Sequence, residues 1–357
     1  MTALELVRRG HRVIGFDRFA PPHEAGSSHG RTRIIREAYF EHPQYVPLVQ
    51  RAYQLWALLE RESRTVLYRA TGGLMIGPAG GTLVAGARRS ALEHRLPFEE
   101  LPPAEVRRRF PAFQLSPEDV ALFEPRAGVL FPEPAIAAAL ELARQAGALL
   151  YLEEPVLAWR SGSRIQVRSG KREVEVDRLV LAAGAWMGGD VSAVRLPLSV
   201  ARQPLFWFDR ASGSADDLAG LPIFIWEWEP GRFFYGFPDL GDGLKAAIHH
   251  EGAPAEAGQP RPIELAESNE LVSVLSTRIP SVGPVREATT CLYTNTPSGD
   301  FLLDRHPGDP RVVLASPCSG HGFKFAPVIG EVLADLVEDR KPRFDIAPFS
   351  LDRLRRT

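Results

Sequence analysis

Apolar residues recur at helical spacing in four stretches and in short solid or alternating runs between them, so helix and strand alternate over most of the chain. Leu4, Leu6 and Val7 predict a first helix over Thr2 to Arg9, closed by Gly10. The run from His11 to Asp17 then reads as a short buried strand ending in an acid. Gln44 to Arg61 has amphipathic helical periodicity, followed by a strand over Gly72 to Gly77. A third helix is expected over Ile136 to Gly147, with strands at Leu149 to Leu152 and Ile165 to Val167. Val174 onward runs as a strand into the small-residue turn Ala182-Ala183-Gly184-Ala185, where Gly184 lets backbone approach a ligand closely. From Leu196 to about Thr289 the aromatic-rich runs at 205–209, 224–228 and 232–237 predict one antiparallel sheet. After Cys291 short strands return, including the buried run Val312 to Ala315, and Ala326 to Val337 forms the last helix.

These elements predict an α/β protein of two domains, one Rossmann-like and one built on a largely antiparallel sheet. The Rossmann-like domain is expected to be discontinuous, over 1–80, 140–195 and 290–357, with 81–139 and 196–289 forming the second. Helix Thr2–Arg9 and the strand ending at Asp17 form the back half of a dinucleotide-binding βαβ unit, in which such an acid bonds a ribose. No GxGxxG loop stands before that helix. That loop ordinarily holds the pyrophosphate, so an N-terminally truncated unit is the expectation.

Composition narrows the chemistry. With 357 residues the chain can bury a large core, and 42 Lys plus Arg against 44 Asp plus Glu leave no field that points to nucleic acid. Two cysteines, Cys291 and Cys318, are too few for a disulfide scaffold and suit a reducing, cytoplasmic setting. No apolar run is long enough to span a bilayer. His249 and His250 could suggest a metal, but neighbours on a strand face opposite ways and no third ligand cluster is visible, so no metal is expected.

The segment from Cys291 to Phe325 combines a lone thiol, the Gly320-His321-Gly322 turn and the cation Lys324 at the mouth of a helix. Strand, glycine turn and helix together make a cofactor site. With APPHEAGSSHGRTRIIREAY at 20–39 and GLKAAIHH at 243–250, this segment resembles the monomeric sarcosine oxidase and N-methyltryptophan oxidase family of covalent flavoproteins. The likeness runs from Thr2 to about Leu351.

The resemblance implies FAD bound in the Rossmann-like domain, through Asp17, and joined covalently to Cys291, with Arg33 and His29 supplying positive charge and hydrogen bonds at the flavin site. It makes Arg36 and Lys324 the cations that hold a substrate carboxylate. His249 and Tyr293 border the substrate, and Lys245 stands near the flavin to stabilise the negative charge formed on oxygen. His321 and Gly322 would offer backbone N–H groups to the flavin edge, and Cys318 would be structural. The implied reaction is oxidation of an N-methyl amino acid by O2 in a monomeric enzyme, giving amino acid, formaldehyde and hydrogen peroxide. Two rival expectations are a dehydrogenase that passes electrons to a carrier protein and a flavin-poor remnant without activity.

Overall fold

The computed structural model describes residues 1–215, 217–259 and 262–356. Eight strands form the largest sheet, in the order 282–295, 199–210, 244–249, 232–237, 223–229, 73–78, 119–124 and 99–101. All neighbours are antiparallel except 223–229 with 73–78, which run parallel with Ile223 opposite Gly73. The aromatic stretch therefore forms the expected sheet, but a mixed one. Strand Gly73–Pro78, expected within the 1–80 segment of the Rossmann-like domain, lies in this sheet. The boundary near 290 likewise falls inside the single strand Val282–Asn295.

Strand alternation gives this sheet two different faces. Phe206, Phe208, Phe224, Trp226, Phe234, Leu244 and Ala246 point to one side and form a buried core with Leu271, Val274 and Leu275 of helix Asn269–Arg278. Leu205, Trp207, Ala247, Cys291 and Tyr293 point to the other. The odd-numbered residues of Leu244–His249 thus face the same way as the thiol.

Two smaller sheets also contain parallel pairs. Ile14–Phe16 pairs with Leu149–Tyr151, and Leu179–Leu181 pairs with Asp309–Ser316, itself antiparallel to Leu302–His306. These two small sheets are not hydrogen-bonded to each other. Helix Thr2–Arg8, closed at Gly10 with φ +88°, contributes Leu4 and Leu6 to a core shared with Val328, Ile329, Val332 and Leu333 of helix Ala326–Val337. No helix among the described residues is long and apolar enough to cross a membrane.

Candidate active site

A cavity of about 1830 Å³ runs from the gap between the two small parallel sheets to the thiol-bearing face of the large one. Asp17, Gly184, Arg33, Arg36, His249, Cys291, Tyr293, Gly320, His321, Gly322 and Lys324 all line it. Residues scattered over three hundred positions of sequence therefore share one wall. His29 and Lys245 are not among the lining residues, but His29 follows Ser28, which is, and Lys245 donates to Thr32, which is.

At the far end, Asp17 follows strand Ile14–Phe16, and its carboxylate accepts from the Phe19 amide at 2.9 Å. Gly184 has φ +55°, a conformation side chains resist, and leaves open space where a Cβ would stand. These groups suit a ribose and a flat ring system.

Around the thiol, Cys291 is 3% exposed, and burial raises its pKa while Arg33 and Lys245 pull it back down. Arg33 donates from Nη1 to Thr32 O at 2.8 Å and from Nη2 to Ser27 O. Buried Lys245 donates to Gly30 O at 2.5 Å, Thr32 Oγ1 at 3.0 Å and Thr32 O at 3.2 Å, and lies 5.1 Å from the centre of the Trp207 ring. Burial, then Arg33, pushes its pKa well below the usual lysine range. His29 is buried with both ring nitrogens unpartnered, its pKa lowered to about 4 by burial and then by Arg33. Such orphaned nitrogens are uncommon in a folded protein and suit a ligand that brings its own polar atoms. With the open backbone at Gly184 and the thiol at the wall, they fit FAD.

Beyond the thiol the walls become cationic. Arg36 follows strand Arg33–Ile35 and is 2% exposed; its Nη1 donates to Ala38 O at 2.8 Å. The peptides beside it are clamped from behind, because Glu124 accepts from the Glu37 and Ala38 amides at 2.7 and 2.8 Å. Burial raises the Glu124 pKa to about 7. Lys324 sits in the short helix Phe323–Phe325, just after the turn at 317–322, where a Cβ on Gly322 would stand 1.6 Å from Pro317 O. Burial, then Arg36, lowers the Lys324 pKa to about 7.

His249 Nδ1 lies 3.3 Å from the Tyr293 hydroxyl, and burial followed by His250 drives its pKa well below the normal imidazole range. The expectation that His250 faces away is corrected here. Strand Leu244–His249 ends one residue earlier, His250 takes φ +63°, and its ring swings back to 4.0 Å from that of His249. Among the described residues no group of three or more His, Cys, Asp or Glu side chains is placed to hold a metal ion. The His321 amide donates to Cys318 O at 3.2 Å, while its ring reaches the Tyr39 hydroxyl at 2.6 Å.

Sequence reasoning passed over Tyr39, Glu41 and Tyr235, and turned His250 away from the site. Glu41 pairs with Arg36, and its pKa falls despite burial because Arg36, His321 and Lys324 surround it. Its only signal was a carboxylate five residues after a buried arginine. Tyr235 lies in an aromatic run that reads as core, yet it lines the cavity with its pKa raised to about 12 by burial.

The profile of the FAD dependent oxidoreductase family matches residues 1–336. The chain is 39% identical over 344 residues to a monomeric sarcosine oxidase of Streptomyces avermitilis, covering 94% of this chain and 89% of that protein. It is 35% identical over 350 residues to an N-methyl-L-tryptophan oxidase of Yersinia pestis, covering 97% and 94%. Among solved structures, NikD, an unusual amino acid oxidase essential for nikkomycin biosynthesis, superposes with a TM-score of 0.84 at 23% identity over 98% of this chain and 93% of its own. The L-proline dehydrogenase of P. horikoshii gives 0.85 at 20% identity over 99% and 94%. At those identities the two structures show a shared fold.

Proposed function

The chain belongs to the FAD dependent oxidoreductase family and is an FAD-dependent oxidoreductase of CH–NH donors, and on that premise we propose that it oxidises N-methyl amino acids with O2. The products would be the amino acid, formaldehyde and hydrogen peroxide. We also propose that Cys291 carries the FAD through a thioether.

The observation that carries this reading is the placement of two buried cations, Arg36 and Lys324, on the wall of the cavity that Cys291 also lines. Glu41 balances one of these two charges, and a substrate carboxylate would balance the other. A carboxylate held there fixes the rest of a small amino acid, and holding a reacting carbon in place lowers its barrier. When bound, FAD supplies the two-electron acceptor for the substrate and the route of those electrons to oxygen. Asp17, Gly184, Arg33 and His29 are the groups that would hold it.

Neutral His249, next to the Tyr293 hydroxyl, can accept an N–H from the substrate amine, and the cations Arg36 and Lys324 on the same wall would disfavour that amine's charged form. Only the neutral amine has the lone pair that oxidation requires. Lys245, which donates to the lining residue Thr32, would stabilise negative charge forming near the thiol together with Arg33.

The test is peroxide and formaldehyde release across sarcosine, N-methyltryptophan and other N-methyl amino acids, each paired with its methyl ester. The reading predicts equimolar products from the acids and roughly a hundredfold or greater loss with the esters, which lose charged contacts to both cations. Turnover with an artificial electron acceptor and negligible peroxide under air would reject the oxidase assignment. Equal turnover of acids and esters would reject the carboxylate site.

A further inference from the structure

Lys324 is held by a hydrogen-bonded chain whose direction is fixed at its far end. Its Nζ donates to His321 O at 2.8 Å and to the Tyr39 hydroxyl at 3.2 Å. The same hydroxyl lies 2.6 Å from His321 Nδ1, and His321 Nε2 lies 3.0 Å from Gly299 O. A carbonyl oxygen only accepts, so Nε2 carries the ring proton. In the neutral ring Nδ1 must then accept, which turns the Tyr39 O–H toward it and leaves the phenolic lone pairs for Lys324. Two of the three ammonium hydrogens are occupied within the chain, and one is left for the cavity.

The surroundings keep this chain in one arrangement. Tyr39 is fully buried, and Phe301 stacks on the His321 ring at 4.9 Å while Tyr45 meets it edge-on at 5.4 Å. Burial, opposed by Glu41 and aided by Lys324, lowers the His321 pKa to about 4, so the ring stays neutral at physiological pH. The charged groups that act on Lys324 are Arg36 and Glu41. None of them supplies Tyr39 with a competing donor.

We propose that Tyr39 and His321 are positioning residues that aim the remaining N–H of Lys324 at the substrate carboxylate. Both would act through Lys324. The proposal rests on the carboxylate-clamp reading and adds to it the groups that set the clamp's direction.

The test measures propionate binding to the flavin-loaded protein by calorimetry, since propionate carries the carboxylate without an oxidisable amine. Tyr39→Phe deletes the acceptor and is expected to weaken propionate roughly tenfold, the usual size for one hydrogen bond to a charged group. In the Lys324→Gln background the same change is expected to cost less than about twofold, because coupled residues are not additive. With N-methyl substrates KM is expected to rise while kcat moves far less. Equal losses from Tyr39→Phe in both backgrounds would overturn the relay and leave the clamp standing. Wild-type protein that binds no propionate at all would overturn the clamp itself, and the relay with it. Should Tyr39→Phe fold poorly, the His321 tautomer decides instead, read by nitrogen NMR of the wild type: a proton on Nε2 supports the relay, and one on Nδ1 overturns it.

Discussion

Buried Arg36 pairs with half-buried Glu41 on the cavity wall, its Nη2 donating to the two carboxylate oxygens at 2.7 and 2.9 Å. The arginine proposed to hold substrate is thus already matched to a carboxylate five residues along its own chain. An incoming carboxylate must share or displace Glu41.

Glu41→Gln is therefore expected to bind small carboxylates more tightly, by roughly threefold to tenfold, because a neutral amide competes less for the guanidinium. The same change should cost about 1 to 3 kcal/mol of stability, since a buried arginine loses its counter-charge. Calorimetry and thermal unfolding check the two together. Weaker carboxylate binding would contradict the competition.

Carboxylate binding should depend on pH through Lys324. Its pKa in the free protein is about 7, lowered from the ordinary lysine value, so the charged form is complete only below that pH. A bound carboxylate raises it again, which links binding to proton uptake. Propionate affinity should be level below pH 7 and fall as pH rises beyond it, by up to about tenfold per unit. Lys324→Gln should flatten that limb. A pH-independent wild type would remove the assigned role.

Lys245 tests a separate step. Lys245→Met keeps the length of the side chain and removes its charge, so the rate of reoxidation by O2 should drop by roughly a hundredfold or more, while anaerobic reduction by substrate changes far less. Stopped-flow absorbance at the flavin bands measures both. Equal effects on the two half-reactions would assign Lys245 to holding the loop at 30–32, to which its ammonium donates.

What the sequence made legible follows from short-range rules. Even offsets place Lys245, His249, Cys291 and Tyr293 on one face of their strands, and all of them but Lys245 reach the cavity wall. Contacts between distant segments are a different matter. Tyr39 meets His321 across 282 positions, and no local pattern distinguishes that tyrosine from the packed Tyr45 beside it. Strand Gly73–Pro78 was visible as a strand, but its parallel partner at 223–229 depends on how the whole sheet closes. His250 escaped because one left-handed residue reverses the direction that strand alternation predicts.

Gly322 sets the turn that presents Lys324. Gly322→Ala would force a Cβ against Pro317 O, a contact of 1.6 Å with backbone that cannot move aside. The expected loss exceeds about 3 kcal/mol, or the protein fails to fold with flavin bound. Thermal unfolding against Gly188→Ala, where nothing lies within 4 Å, provides the comparison. Equal stability of the two variants would contradict the geometry of this turn.

The most direct measurement is the mass of the peptide that bears Cys291, taken from protein denatured and digested after expression with its flavin. This peptide is expected to carry the mass of FAD less two hydrogens and to absorb as a flavin, and Cys291→Ser to yield no such adduct on any peptide. An unmodified Cys291 peptide from protein that oxidises N-methyl amino acids would contradict the thioether, and an adduct on Cys318 would place it on the wrong thiol.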